Sequence, residues 1–392
     1  MTSAYTQPAA PPLRSAQRRT IGTLVVTQAL GGVGITTGIA VVTLLAEQIL
    51  GSAALAGLAQ TAQVLGTAAA AFVLARVMSA RGRRAGLAAG YGIGGIGAGL
   101  CVLSGVAGSF TLLLLGTFGI GWATAANSQA RYAATDLAEP TRRGRALAVV
   151  VWATTIGAVL GPNLTGPGGA VARWLNLPEL TGAFVFSMAA VVLTAAVVSI
   201  FLRPDPLLLA REHAAARGEV TSAQVSLRRV WAVVSVRPRA AAAMISIGVA
   251  HAVMLSVMVM TPLHMHHGGA ELRVIGFVIS MHVFGMFAFS PVVGWLTDRI
   301  GRPAVLAVGS VILLASVTLA GQAPEGHSTG LVIGLFLLGL GWSCCLIAGS
   351  ALLIDSVPFA ERPGAQGASD LVMGVFAAGG GALAGVVVAG WG

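Results

Sequence analysis

The sequence predicts an all-α membrane protein built as two related helical bundles. Three observations carry this. Apolar residues make up 56% of the 392 and charged residues only 9%, whereas a soluble domain carries about 25% charged residues. Apolar runs recur along the chain, each close to the roughly 20 residues that a helix needs to cross a bilayer core. The basic residues, all 23 of them arginine, fall in the segments between those runs.

The runs lie at 21–45, 54–75, 85–106, 110–130, 146–165, 181–202, 240–262, 274–295, 304–321, 330–353 and 369–390, eleven in all. Arg14, Arg18 and Arg19 precede the first, which is too long for a signal-peptide core and has no cleavage site, so it reads as a span. Alternate connections then hold 21 of the 23 arginines, with only Arg173 and Arg273 on the other side. The positive-inside rule makes the arginine-rich side cytoplasmic. The expectation is a multi-pass protein of the bacterial inner (plasma) membrane with its N-terminus inside. The net charge of +10 comes from these loops and is not interleaved with aromatics, so the partner is the lipid bilayer and not nucleic acid. Cys101, Cys344 and Cys345 all lie in apolar runs, which gives no disulfide framework.

The longest polar connection divides the chain into an N-terminal bundle, 1–202, a cytoplasmic linker, 203–239, and a C-terminal bundle, 240–392. The halves look like distant copies. Arg81-Gly-Arg-Arg84 stands before span three and Asp298-Arg-Ile-Gly-Arg302 before span nine. Two such halves in parallel orientation are one of the repeat plans of secondary transporters. Gly294-Trp-Leu-Thr-Asp298-Arg299-Ile-Gly301-Arg302 resembles the loop signature of the major facilitator superfamily, Gly-x-x-x-Asp-Arg-x-Gly-Arg. In the first half Ala75, Ser79 and Ala80 replace its Gly, Asp and Arg, and Gly82-Arg83-Arg84 survive. The resemblance implies two pseudo-symmetric six-helix bundles that rock about a central site, in a monomer. Since the superfamily usually has twelve spans, a twelfth is expected to follow Gly392. It also implies a gate. Closure of the cytoplasmic end brings Asp298, Arg299 and Arg302 to Asp136 and Arg145, and Arg83 and Arg84 to Asp370.

Intramembrane charge usually marks a transported substrate, but mid-membrane Asp, Glu and Arg are absent from these runs. Sulfur and imidazole stand out instead. Seven of the eleven methionines and five of the seven histidines lie within 244–286. Met244, His251, Met254 and Met258 share one face of span seven, as do His282 and Met286 in span eight. An outer loop reads Leu263-His-Met-His-His267. Thioether sulfur is soft and uncharged and favours Cu(I) over harder ions, and neutral imidazole adds a donor without charge. Packing is the competing account of any one methionine, because methionine fills gaps in cores.

Met254-x-x-x-Met258 with His282-x-x-x-Met286 resembles the paired motifs of the CcoA-like bacterial copper importers. That resemblance implies copper, as Cu(I), for the transported substrate and Met254, Met258, His282 and Met286 for its ligands. His264, Met265, His266 and His267 would collect the ion and His251 relay it. Some members of the wider family carry riboflavin-like compounds, so a small organic solute, exported or imported, is the alternative cargo. A non-transporting membrane sensor is a third possibility, against which the intact gate signature speaks. Gly157-Ala-Val-Leu-Gly161-Pro162 resembles an element common in exporters but reads equally as a packing kink. Trp122, Asn127, Trp152, Asn163, Trp342 and Ser343 are candidates for lining an organic-solute cavity. With no phosphate-binding loop and no catalytic constellation, neither an enzyme nor a resident cofactor is expected.

Overall fold

The computed structural model describes residues 13–391 except 52–56, 220–225, 270–271 and 325–328. Its helices are α1 Leu13–Leu50, α2 Gly57–Arg81, α3 Arg83–Ala107, α4 Phe110–Ala133, α5 Arg143–Asn163, α6 Thr165–Trp174, α7 Thr181–Phe201 and α8 Pro206–Ala215. They continue with α9 Leu227–Ser235, α10 Pro238–His267, α11 Leu272–Phe287, α12 Ser290–Arg299, α13 Arg302–Gly321, α14 Thr329–Ser356 and α15 Arg362–Trp391. Helix is the expected answer to a lipid solvent, because it pairs its backbone polar groups internally.

Ten stretches among the described residues are long and apolar enough to cross a membrane, one fewer than the eleven predicted. The difference lies at 369–390. That stretch is helical, within α15, but its side chains from 381 onward lie outside the described residues. Span eight is broken after Phe287 into α11 and α12. The linker is not featureless. Asp205 caps α8, accepting from the N–H groups of Leu207 and Leu208, and also accepts from Arg84 N–H, which ties α8 to α3. Ser226 caps α9, whose Val230 and Val234 pack with Ala240, Leu353 and Ala365 of the second half.

Two glycines show why part of the loop signature survives in both halves. Gly82 has φ +88° and Gly301 φ +97°, the left-handed region that L side chains avoid. Each lets the chain reverse between one span and the next, so neither can drift to another residue without strain. Gly157 is held differently. A Cβ there would lie 2.5 Å from the carbonyl carbon of Gly32 on α1. Thr36 and Thr37 donate to the carbonyls of Gly157 and Gly161 at 2.8 and 3.0 Å. The Gly157–Pro162 element is therefore a close α1–α5 contact, which favours the packing reading. Gly157→Leu is expected to cost about 1–3 kcal/mol by overpacking, seen as a lower thermal unfolding midpoint. Gly22→Ala, on the same α1 but with open space at the Cβ position, should not lower the midpoint, because Ala suits a helix interior better than Gly.

Candidate functional site

The methionines and histidines converge in the second half, where α10, α11 and α14 meet. Met254 is 8% exposed and packs with Leu338, Trp342 and Cys345, while Met258 and Met286 border the same cluster. Met258 also borders a second cluster that holds Met265, Val278 and Leu335. Gly339 of α14 lies against the backbone of His282 and Met286, so α11 and α14 touch closely here. His282 is 2% exposed, and its Nδ1 lies 3.1 Å from the carbonyl oxygen of Leu335. A carbonyl can only accept, so Nδ1 carries the proton and Nε2 keeps its lone pair. That Nε2 is buried and without a hydrogen-bond partner among the described residues. A ligating histidine is commonly held this way, its other nitrogen donating to a backbone carbonyl.

The remaining predicted ligands divide. His251 Nδ1 accepts from Trp342 Nε1–H at 2.9 Å. Trp only donates, so the neutral His251 ring holds its proton on Nε2 and presents a donor, not a lone pair. Met265 is fully buried in its cluster and His264 has a buried Nε2 without a partner. The side chains of His266 and His267 lie outside the described residues. Among the described residues no three His, Cys, Asp or Glu side chains gather as a metal cluster, so the donors here are thioethers and one imidazole. Cys101, Cys344 and Cys345 are free and buried. The proposed lining of an organic cavity is scattered. Asn127 accepts from Tyr91 OH at 2.8 Å, Ser343 pairs with Ser290, Asn163 donates to Val159 O, and Trp152 is 41% exposed.

The ion pairs that join the two halves among the described residues gather at the arginine-rich end. Asp298 accepts from the backbone N–H groups of Gly144 and Arg145 at 2.9 and 3.0 Å, at the N-terminus of α5. Its carboxylate thus meets both orphan donors and the positive helix end, and the Arg145 side chain stands 4.0 Å away. Arg302 reaches across to Pro140 O and pairs with Asp355 at 3.0 Å, while Arg143 also pairs with Asp355. Arg299 stacks on Trp295 of its own helix.

On the other flank the predicted partners are rearranged. Asp136 pairs with Arg83 at 2.7 Å within the first half, not with the Asp298 group. Arg83 crosses to the second half through Gln366 Oε1 at 2.7 Å. Arg84 engages Asp205 through its backbone N–H. Asp370 pairs with Arg131, at 2.6 Å, with both side chains 5% exposed. Sequence reasoning missed Arg131, Arg143, Asp355 and Gln366. Their only sequence signal is the position of each at a span end, next to a loop already marked as basic.

Removing one partner of a buried pair costs about 3–5 kcal/mol, and the carboxylates of Asp298 and Asp370 are both buried, 3% and 5% exposed. Asp298→Asn and Asp370→Asn should therefore each open the arginine-rich end. Maleimide labelling of Ala351→Cys, buried at this junction in a background lacking the three native cysteines, should rise several-fold in both variants. Unchanged labelling would leave the arginines with a topological role alone.

The profile of the Major Facilitator Superfamily matches residues 24–272 and 252–392. The Bacillus subtilis (strain 168) protein YdeG, described as an uncharacterized MFS-type transporter, is 39% identical over 384 residues, covering 96% of this chain and 87% of that protein. Riboflavin transporter RfnT of Brucella anthropi is 30% identical over 341 residues, covering 84% and 79%. Among solved structures, the E. coli fucose:proton symporter FucP superposes with a TM-score of 0.67 at 18% identity, covering 94% of this chain and 90% of that one. The proton:xylose symporter XylE gives a TM-score of 0.69 at 14% identity, covering 97% and 90%. The structural likenesses speak to fold, and the sequence matches to descent. Together with the helical bundles and their charged junction, they place the chain in the major facilitator superfamily, as a multi-pass secondary membrane transporter and not an enzyme.

Proposed function

We propose that this transporter imports copper, as Cu(I), across the bacterial inner membrane by alternating access. The observation that carries the reading is His282. Its Nδ1–H is spent on Leu335 O, and its bare Nε2 is buried without a partner among the described residues, on the helix that also carries Met286. Met254, Met258 and Met286 supply soft neutral donors, and carboxylates, which hard ions prefer, are absent from the ligand set. Neutral donors hold the ion moderately, which suits a site that must also release it. If the arginine-rich end is cytoplasmic, as the positive-inside rule requires, closure at that end leaves the site to load from outside. His264 and Met265 lie further along α10 toward that outer end, so with His266 and His267 they belong to the entry route. In this scheme the protein acts as a monomer, and copper arrives as the ion or a small complex.

A second reading is a small organic solute. It is favoured by the 30% identity to a protein described as a riboflavin transporter. Uptake of radiolabelled copper and of riboflavin by vesicles separates the two. Altering a residue that merely supports a metal ligand costs about 10- to 100-fold in affinity, so losing a ligand should cost at least as much. Met254→Ala and His282→Ala should therefore abolish copper accumulation at normal expression. Met244→Leu, in a separate cluster at the arginine-rich end, should be nearly silent. Wild-type copper uptake by both variants, with riboflavin uptake present, would transfer the site to the organic solute.

A further inference from the structure

A cavity of about 720 Å³ opens at the arginine-rich end. Its wall comes from both halves: Pro140 and Thr141 after α4, Val236–Arg239 at the end of the linker, Gly301–Pro303 before α13, and the end of α14. Three arginines line it, Arg237, Arg239 and Arg302, against one carboxylate, Asp355. That carboxylate is already shared by Arg143 and Arg302. Arg237 donates one bond to Val233 O, and Arg239 is exposed with no hydrogen bond or ion pair among the described residues. Positive charge is therefore in excess and largely uncommitted. Helices α10 and α13 both begin at the rim, at Pro238 and Arg302, and add their positive ends.

The surroundings identify the kind of anion. Arg237 and Arg239 stand at the start of span seven, on either side of Pro238 where α10 begins. Beside them Trp231 is 74% and Val236 71% exposed, an apolar step next to arginines, as is usual where a protein meets the membrane–water interface.

We propose that this cavity binds the headgroup of an anionic phospholipid, its phosphate held by Arg237 and Arg239. Because Arg302 lines the cavity and also reaches Pro140 O of the first half, a headgroup seated here touches both halves only while this end is closed. It therefore favours the closed state over the open one. This is a second binding site, independent of the cargo.

Native mass spectrometry of the full chain, released from mixed phosphatidylglycerol and phosphatidylcholine vesicles, reads the retained lipid directly. Wild type should keep phosphatidylglycerol preferentially. An arginine near an anionic surface contributes about fivefold in binding, so Arg237→Gln with Arg239→Gln should cut retention roughly 25-fold. Arg239→Gln alone removes a side chain without partners and should lower retention about fivefold with the fold untouched. Arg217→Gln, whose partner Glu219 lies elsewhere in the linker, should leave it unchanged. Labelling of Ala351→Cys should be lower in phosphatidylglycerol than in phosphatidylcholine, and the double variant should lose that difference. Equal retention by the double variant, or an equal loss in Arg217→Gln, would overturn the site. Displacement by inorganic phosphate without any lipid preference would assign the cavity to a free anion and overturn the lipid.

Discussion

The carboxylate of Asp298 at the N-terminus of α5 is the contact on which the observed state rests. Lipid gives two apolar bundles no hydrophobic reason to stay together, because tails solvate them as well as each other does. The halves must therefore be joined by directional contacts, and by contacts that can be undone. A carboxylate accepting from Gly144 N–H and Arg145 N–H meets both needs. It satisfies backbone donors that α5 cannot use internally. The carboxylate itself is buried, 3% exposed, beside the half-exposed Arg145 side chain at the rim, so water reaches it as the halves part. The pairs Arg143–Asp355 and Arg145–Asp298 close the same flank, and the apolar cluster of Tyr132, Leu147, Val293 and Ile347 lies beneath them.

The two flanks are copies that have diverged. Gly82 and Gly301, Arg83 and Arg302, Asp136 and Asp355 each stand 219 residues apart. Their pairs correspond too, Arg83 with Asp136 and Arg302 with Asp355. Ser79 stands where Asp298 stands in the other half, so the first half has lost the carboxylate that would cap α15. Its flank is joined instead by Arg131 and Asp370. By the same spacing these answer to Ser350 and Val151, so this pair has no charged counterpart. One flank is joined by a carboxylate on backbone N–H groups and the other by a charged pair, and both carboxylates are buried.

How much of this was legible follows from period and spacing. Span positions come from apolar runs, and the helices found reproduce most of them because lipid leaves the backbone little other choice. The break between α11 and α12 was missed because Phe287, Ala288 and Phe289 continue the apolar run, although Pro291 in the first turn of α12 is a signal for it. Asp298 meets Arg145 as expected, but Asp136 and Asp370 take partners other than those expected, Arg83 and Arg131. A loop signature says which charges lie at one end of a span, whereas pairing depends on the depth and azimuth of each helix. Arg131 looked like a loop arginine, yet it is buried. For the methionines, helical spacing placed Met254 and Met258 on one face correctly. What spacing could not show is that His251 turns to Trp342 and His282 to Leu335.

That difference between two histidines bears on how such a site could work. Met254, Met258, His282 and Met286 all stand on α10 and α11 of one half. Rocking of the halves therefore changes access to them without dismantling the donor set. What tunes the donors is α14, which contacts both helices. Its Leu335 carbonyl fixes the tautomer of His282, and its Trp342 occupies the Nδ1 of His251. A shift of α14 against α11 that lengthened the His282–Leu335 bond would free the Nδ1 proton to move to Nε2. The lone pair would then sit on Nδ1, toward Leu335 O. Affinity would fall without breaking any contact between the halves, since loss of a carbonyl partner weakens a ligating histidine. For the proposed copper site, the junction at the arginine-rich end would govern which side it faces, and the packing of α14 how firmly it holds the ion.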